Sequence, residues 1–244
     1  MFRHQGRRTL SHNLRLATLL SLVAGMVNIC GVLSIKILTT NVTGHFAFFA
    51  EEIILKNYTM ALTFVAFVFC FLLGSFLSGL LTELVSRSKA NFSPVLLPVI
   101  LEIGVLVFVC LYGGRYGVEG KNAHLIAAAM LFSMGVQNSL VTQVSKSIVR
   151  TTHLTGLFTD LGIELAQLIF YRKPSEIKTL SQSVYLRTAI ILFFFIGGIA
   201  GGAFYSFLGL NTLFIACALL LITLFYDTIR FHFYSLRRRL FEPH

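Results

Sequence analysis

The stretch Thr39-Thr40-Asn41-Val42-Thr43-Gly44-His45 decides the fold, because its pattern returns as Thr151-Thr152-His153-Leu154-Thr155-Gly156. Each stretch follows an apolar segment that contains a glycine, an asparagine and a lysine in the same order. The residue numbers of these three pairs differ by a constant offset of 110: Gly25/Gly135, Asn28/Asn138 and Lys36/Lys146. The threonine and glycine pairs of the stretches, with Phe46/Phe158 and Glu52/Glu164, share an offset of 112. We interpret the pattern as an internal duplication with one small slip in register.

The composition predicts an integral membrane protein. Hydrophobic residues make up 56% of the 244 residues, and charged residues only 12%, against roughly 25% charged in soluble domains. The net charge of +10 would suit a nucleic-acid partner. However, the basic residues lie between apolar runs, so membrane topology explains them better and we expect no nucleic acid. The four cysteines form no CxxC pair, so we expect neither a metal site nor a cofactor.

Six segments have the roughly 20 mostly apolar residues that a membrane-spanning helix needs. Two shorter apolar stretches, Phe46–Leu55 and Leu157–Tyr171, each follow a threonine-glycine motif and carry carboxylates. We expect these to be half-helices, re-entrant pieces or interfacial helices, with Thr43 and Thr155 as their N-caps. The predicted spanning segments are Leu14–Leu38, Tyr58–Leu84, Val95–Tyr112, His124–Val149, Leu186–Leu208 and Thr212–Phe233.

The basic residues predict the orientation. With six crossings and a cytoplasmic N-terminus, 16 of the 20 lysines and arginines fall on the cytoplasmic side. This distribution obeys the positive-inside rule and predicts that both termini are cytoplasmic.

A second set of repeated residues lies in the second and fifth predicted helices, where small residues would let two helix backbones approach closely. The chain therefore divides into two three-helix units, residues 1–120 and 121–244, which together form one membrane domain. An odd number of crossings per unit inverts the second unit relative to the first. The predicted fold is an all-α membrane protein with a 3+3 inverted repeat and re-entrant or broken segments after helices one and four. The second set, at a constant offset of 123, pairs Gly74, Ser75, Ser78 and Gly79 with Gly197, Gly198, Gly201 and Gly202.

The residue pattern in two parts of the chain resembles that of the YoaK-like family of bacterial membrane proteins. The first part is Asn28 with residues 40–45, and the second part is residues 134–138 with residues 151–156. The resemblance covers roughly residues 15–230. It implies a six-helix protein of the bacterial inner membrane, and it implies no activity.

The candidate solute site combines amides within the apolar helices with the hydroxyls of the two motifs. A buried amide in lipid needs partners, which another helix, unwound backbone or a ligand can supply. Structural hydrogen bonding and a role in lining a central site both remain open. The candidate residues are Asn28, Thr40, Asn41, Thr43, Asn138, Thr152 and Thr155.

Charged residues form a second group of candidates. Lys36 and Lys146 precede the motifs and would favour an anion near a helix N-terminus, or they extend to the membrane interface. Glu102 lies in the middle of an apolar span and is either a proton or ion relay or a neutral packing residue. Glu52 and Glu164 correspond by symmetry and would pair with Lys56 or Arg150, or lie at the interface. His45 and His153 are interpreted as hydrogen-bonded structural residues rather than as a proton shuttle.

These patterns predict a small secondary transporter for a polar or anionic solute, which works by alternating access between the repeats. A channel with paired half-helices and a non-transporting membrane scaffold remain alternatives. No catalytic constellation occurs in the sequence, so we do not expect an enzyme. The expected partners are membrane lipid and a small solute, and the sequence is compatible with a homodimer.

Overall fold

The fold is described from a computed structural model, which covers residues 10–88, 93–144 and 154–241. All of the secondary structure within these ranges is helical. They contain eight α-helices, and a short 3-10 turn, Gly209–Asn211, joins the last two. The helices are α1 (Leu10–Ile35), α2 (Val42–Ile54), α3 (Tyr58–Arg87), α4 (Leu96–Tyr116), α5 (Lys121–Val144), α6 (Leu154–Phe170), α7 (Pro174–Leu208) and α8 (Thr212–Phe241).

Five continuous helical stretches among the described residues are long and apolar enough to cross a membrane. Four are α1, α3, α4 and α5, and the fifth runs for 53 residues through α7, the 3-10 turn and the start of α8. Large apolar side chains cover the outside of the bundle, including Phe207, Ile199 and Phe225. Such a surface suits lipid and not water, so the chain is a multi-pass membrane protein.

Several predicted helix boundaries differ from the structure, and two of them bear on the candidate site. The first helix ends at Ile35 instead of Leu38, because the backbone turns into the left-handed region at Lys36 (φ 58°). Helix α7 begins at Pro174, well before the predicted Leu186. Proline is favoured at the first position of a helix, because its missing N–H would have no intrahelical partner there.

The tightest helix packing pairs α1 with α7 and α3 with α5. At the first crossing, a Cβ added at Gly25 would overlap the carbonyl oxygen of Phe194. At the second, a Cβ added at Gly135 would overlap the carbonyl oxygen of Phe71. Gly25 and Gly135 correspond at the offset of 110, and Phe71 and Phe194 correspond at the offset of 123. The two crossings therefore use corresponding residues at the offsets found in the sequence.

The same crossings contain a reciprocal pair of contacts. A Cβ added at Gly74 would overlap the carbonyl oxygen of Phe132, and one added at Gly197 would overlap that of Leu22. Burial agrees with this correspondence, because residues 21–30 and 131–140 have the same buried or half-buried state at every position. Each half of the chain thus packs its helices mainly on the other half, so the halves share one core.

The chain reverses direction between α7 and α8. Helix α7 runs parallel to α1, since Gly197 meets Leu22 and Gly201 meets Met26 further along. Helix α8 returns to the start of α1, where Arg15 Nη1 donates a hydrogen bond of 3.0 Å to the Tyr226 hydroxyl. Gly209 (φ 55°) supplies the left-handed backbone at the reversal.

Replacing Gly135 by alanine tests the close crossing of α3 and α5. The added methyl group would force two backbones apart, and overpacking of this kind costs about 1–3 kcal/mol. We expect a lower melting temperature, measured by circular dichroism in detergent. Gly104→Ala is the matched control, since nothing lies within 4 Å of a Cβ there. Equal melting temperatures for the two variants would contradict the close crossing.

Candidate functional site

The candidate site begins where α1 ends. Lys36 N donates to Val32 O at 3.2 Å, and Ile37 N donates to Gly31 O at 3.3 Å. This pair of bonds closes a helix whose next residue adopts a left-handed conformation. Lys36 takes that conformation although it is not glycine, which costs roughly 1–2 kcal/mol. The turn therefore needs support from contacts elsewhere in the connection.

Asn28 supplies that support. Its side-chain Oδ1 accepts hydrogen bonds from Thr39 N at 3.1 Å and from the Thr40 hydroxyl at 3.0 Å. Asn28 lies two turns before Ile35, which is about 10 Å along the helix at 1.5 Å per residue. After Lys36 the chain must therefore turn back along the last two turns of α1. The connection between α1 and α2 is re-entrant.

Helix α2 begins where this connection ends. Asn41 is its N-cap, and Asn41 Oδ1 accepts a hydrogen bond of 3.0 Å from Gly44 N. The expectation that Thr43 would cap the helix is wrong, because Thr43 lies within the first turn. Thr155 is likewise not a cap, since it lies within α6. Asparagine caps better than threonine, because its carbonyl oxygen reaches the first free N–H groups more readily.

His45 and three phenylalanines attach α2 to α3. The buried imidazole donates from Nε2 to Leu38 O at 3.0 Å and stacks on Phe64 with ring centroids 5.9 Å apart. Phe67 meets the same imidazole edge-on at 5.7 Å, and Phe48 stacks on Phe64 at 5.3 Å. Burial lowers the pKa of His45 from its ordinary value, which favours the neutral ring. The hydrogen bond to Leu38 O and the packing on Phe64 and Phe67 agree with the structural role that the sequence favours.

The second half of the site is carried by α5. Asn138 occupies the position that corresponds to Asn28, and its buried Oδ1 has no hydrogen-bond partner within the described ranges. Ser133 and Gln137 are fully buried, and Ser133 Oγ and Gln137 Oε1 also lack partners there. Gln137 Nε2 donates to Leu20 O at 3.1 Å, which ties α5 to α1. The predicted residues Lys146, Thr152 and His153 lie outside the described residues.

Two residues of this region were not among the candidates from the sequence. Thr39 is fully buried, and its backbone N–H, not its side chain, contacts Asn28. Ser133 lies one helical turn before Gln137. Their i, i+4 spacing places both polar residues on one face of α5, and this pattern could have indicated Ser133. No sequence pattern indicates which backbone N–H groups a buried amide will bind.

Charged residues attach α6 to α7. Arg187 contacts Glu164 Oε1 and Asp160 Oδ2, each at 3.1 Å, and the Ser183 hydroxyl donates to Glu164 Oε1 at 2.6 Å. Glu52 and Glu164 were expected to pair with Lys56 or Arg150 or to lie at the interface; the described partners of Glu164 are Arg187 and Ser183 instead, and Arg150 lies outside the described residues. Ser183 lies in the part of α7 that precedes the predicted start at Leu186.

The two halves thus use different chemistry at corresponding positions. Phe48 and Asp160 correspond at the offset of 112, and Phe64 and Arg187 correspond at the offset of 123. An aromatic stack therefore joins α2 to α3, where an ion pair joins α6 to α7. The Arg187 side chain is only 16% exposed and that of Glu164 13%. Removing Arg187 would leave the largely buried Glu164 without an opposite charge among the described residues, which is strongly destabilising.

Of the remaining charged candidates, only Lys36 lies in the re-entrant connection, and it is exposed. Lys36 lies just beyond the end of α1, and Glu52 is half-buried on α2. Glu102 lies on α4 with an exposed fraction of 0%, and neither carboxylate oxygen has a hydrogen-bond partner in the described parts of the chain. Among the described residues, the hydrogen bonds of Asn28 in this connection involve amide, hydroxyl and backbone groups and no charged side chain.

Substituting Asn28 by alanine tests the re-entrant connection. It removes the acceptor of two hydrogen bonds, and each buried donor left unsatisfied costs about 1–3 kcal/mol. We expect amide hydrogen exchange in residues 36–46 to accelerate roughly 5- to 150-fold, at 1.4 kcal/mol for each factor of ten. Asn57→Ala is the control, since Asn57 accepts from Met60 N at the exposed start of α3. Unchanged exchange in the Asn28 variant would show that the segment is held by something else.

Comparisons with known proteins agree with the membrane architecture. Residues 16–226 match the model of a family described as protein of unknown function, DUF1275. The chain is also 29% identical over 192 residues to the UPF0700 transmembrane protein YoaK of Bacillus subtilis strain 168. That match covers 75% of this chain and 80% of the relative. No solved structure matches the chain. Since the family model spans most of its length, the chain belongs to the DUF1275 family.

Proposed function

We propose that the protein is a small secondary transporter that carries a polar solute between two inverted repeats by alternating access. The observation that carries the proposal is the re-entrant connection held by Asn28, with Asn138 at the corresponding position of α5. Irregular backbone at membrane depth is tolerated only where protein buries it or where it lines a cavity. In transporters, such interruptions form the substrate site near the repeat interface.

Six crossings arranged as a 3+3 inverted repeat are part of this proposal. The reciprocal glycine contacts at offsets of 110 and 123 support two copies of one packing unit. The reversal at Gly209 supports counting α7 and α8 as separate crossings. Three crossings per unit, residues 1–120 and 121–244, place the second unit upside down relative to the first. With this arrangement, the positive-inside rule predicts that both termini lie on the cytoplasmic side of a bacterial inner membrane.

The solute would lie between the two interruptions. Asn28, Thr40 and Asn41 bound the site on one side, and Asn138 and Thr155 lie in the corresponding segments of the other half. Amides and hydroxyls both donate and accept hydrogen bonds, which suits a neutral polar solute. The Gly44 N–H at the start of α2 is already bound by Asn41, so an anion has less to gain there than an uncapped helix would offer.

The two attachments of the half-helices favour a carrier over a static pore. Helix α2 is held to α3 by aromatic rings, and α6 is held to α7 by ion pairs. Moving α2 and moving α6 away from the solute site can therefore require different free energies. A carrier needs two states that open one side at a time, and different attachments allow this. A channel needs both sides open together, and a scaffold needs neither side to open.

Solute flux into liposomes tests the proposal. Purified protein would be reconstituted into liposomes, which would then be mixed rapidly with glycerol, urea, an amino acid or acetate. The shrinkage and reswelling of the liposomes would be followed by light scattering. We expect reswelling with at least one polar solute to saturate with concentration and to fall at least tenfold in an Asn28→Ala/Asn138→Ala variant.

Lys173→Ala is the control for this assay, because Lys173 forms an exposed ion pair with Glu176, and such pairs contribute little. Flux that rises linearly with concentration would support a channel instead. Absence of flux for solutes of every charge class would favour the scaffold and contradict transport.

A further inference from the structure

Glu102 is a buried carboxyl group that the proposed solute site does not use. It lies on the face of α4 that is buried against the core, between Val99 and Leu106, which are both fully buried. Both carboxylate oxygens are inaccessible and lack hydrogen-bond partners within the described residues. A carboxylate in apolar surroundings must be neutralised by a cation, by a proton or by several hydrogen-bond donors. The choice depends on what packs around α4.

The elements that pack against α4 supply no cation at this level among the described residues. Helix α5 carries no ionisable residue between His124 at its start and Val144, and the 3-10 turn carries none. Helix α8 presents the Cys217 thiol, whose Sγ lies 4.0 Å from Ile103 O. Further along α8 come Tyr226, which binds Arg15, and then Asp227 and Arg230, at least about 13 Å beyond Cys217 at 1.5 Å per residue.

The basic residues of the remaining neighbours are either paired or distant from Glu102 along the helix axis. Helix α3 contributes Cys70 and the exposed ion pair of Glu83 with Arg87, in which the two side chains are 2.7 Å apart. The basic residue of α4 itself, Arg115, lies in its last turn, about 20 Å along the axis from Glu102. No described positive charge therefore compensates an ionised Glu102, and leaving a buried charge unpaired costs several kcal/mol.

We propose that Glu102 carries a proton in this conformation and that it is the coupling group of the transporter. The group takes up one proton from water on one side of the membrane to form the neutral acid. It releases that proton as hydronium on the other side, leaving the carboxylate, once the repeats have moved. This inference rests on the proposed transport function and names its coupling ion.

The position of Glu102 connects it to the proposed solute site. Residues 100–108 of α4 and residues 129–132 of α5 line one apolar groove, so the part of α4 that contains Glu102 packs beside α5. Ser133 follows this part of α5, and from Ser133 the unpartnered polar atoms of the described residues continue along α5 through Gln137 to Asn138. A motion of α5 that changes contacts at Asn138 therefore also changes the surroundings of Glu102.

Infrared spectroscopy of the full-length protein in lipid tests the proposal without any solute. A protonated carboxylic acid has a carbonyl stretch that an ionised carboxylate lacks, and transfer to D2O shifts it only if water reaches the group. At neutral pH we expect the wild type to show this band and to shift it within minutes of transfer. The band should be absent in Glu102→Gln and retained in Glu83→Gln, the exposed control. If Glu102→Gln does not fold, Glu102→Leu tests in the same way whether the band belongs to Glu102.

Each outcome decides between the alternatives. A wild type without the band, or a band that survives in Glu102→Gln, would overturn the proton site. A band that does not shift in D2O while backbone amides exchange would show a locked structural acid and overturn the coupling role. Loss of the band on adding sodium chloride, with potassium chloride as control, would identify a sodium site instead and overturn the proton as the coupling ion. A shifting band in a protein without solute flux would overturn the transport proposal and leave Glu102 as a proton site.

Discussion

A backbone that leaves its helix inside a membrane must find new partners for its N–H and C=O groups, because lipid offers none. In this protein Asn28 meets that requirement for the first interruption by binding both Thr39 N and the Thr40 hydroxyl. The remaining features of the connection follow from this one side chain. The turn at Lys36, the cap at Asn41 and the position of α2 against α3 all need a chain that folds back along α1.

The two halves of the molecule share their crossings but not their attachments. Glycines at corresponding positions bring backbone against backbone in the same way in both halves. The short helices, however, are attached by phenylalanine and histidine in one half and by arginine and carboxylates in the other. Aromatic packing responds little to salt, whereas the ion pair of Arg187 with the exposed Asp160 is screened by it. The attachments of the two short helices therefore respond to salt differently.

Much of this arrangement follows from the sequence alone. Hydropathy predicts the long helices, and the repeated glycines predict which helices approach closely, because only glycine allows the contact seen between Gly25 and Phe194. The ends of helices were less predictable, since Ile35 ends α1 through backbone hydrogen bonds that no residue pattern signals. The partner of Glu164 was missed for a related reason. The extension of α7 to Pro174 adds Ser183, which binds Glu164, and hydropathy does not reveal this polar part of the helix.

The central claim is that the two short helices lie on opposite sides of the membrane, as inverted repeats require. Labelling of single introduced cysteines with a membrane-impermeant thiol reagent tests it most directly. The native cysteines give little background, since three are buried and Cys70 is half-buried. In right-side-out cells stripped of their wall, Lys56→Cys at the end of α2 should label at once. Lys173→Cys, after α6, should label only when the membrane is permeabilised. Labelling of both positions from the same side would contradict the inverted repeat and the account of transport built on it.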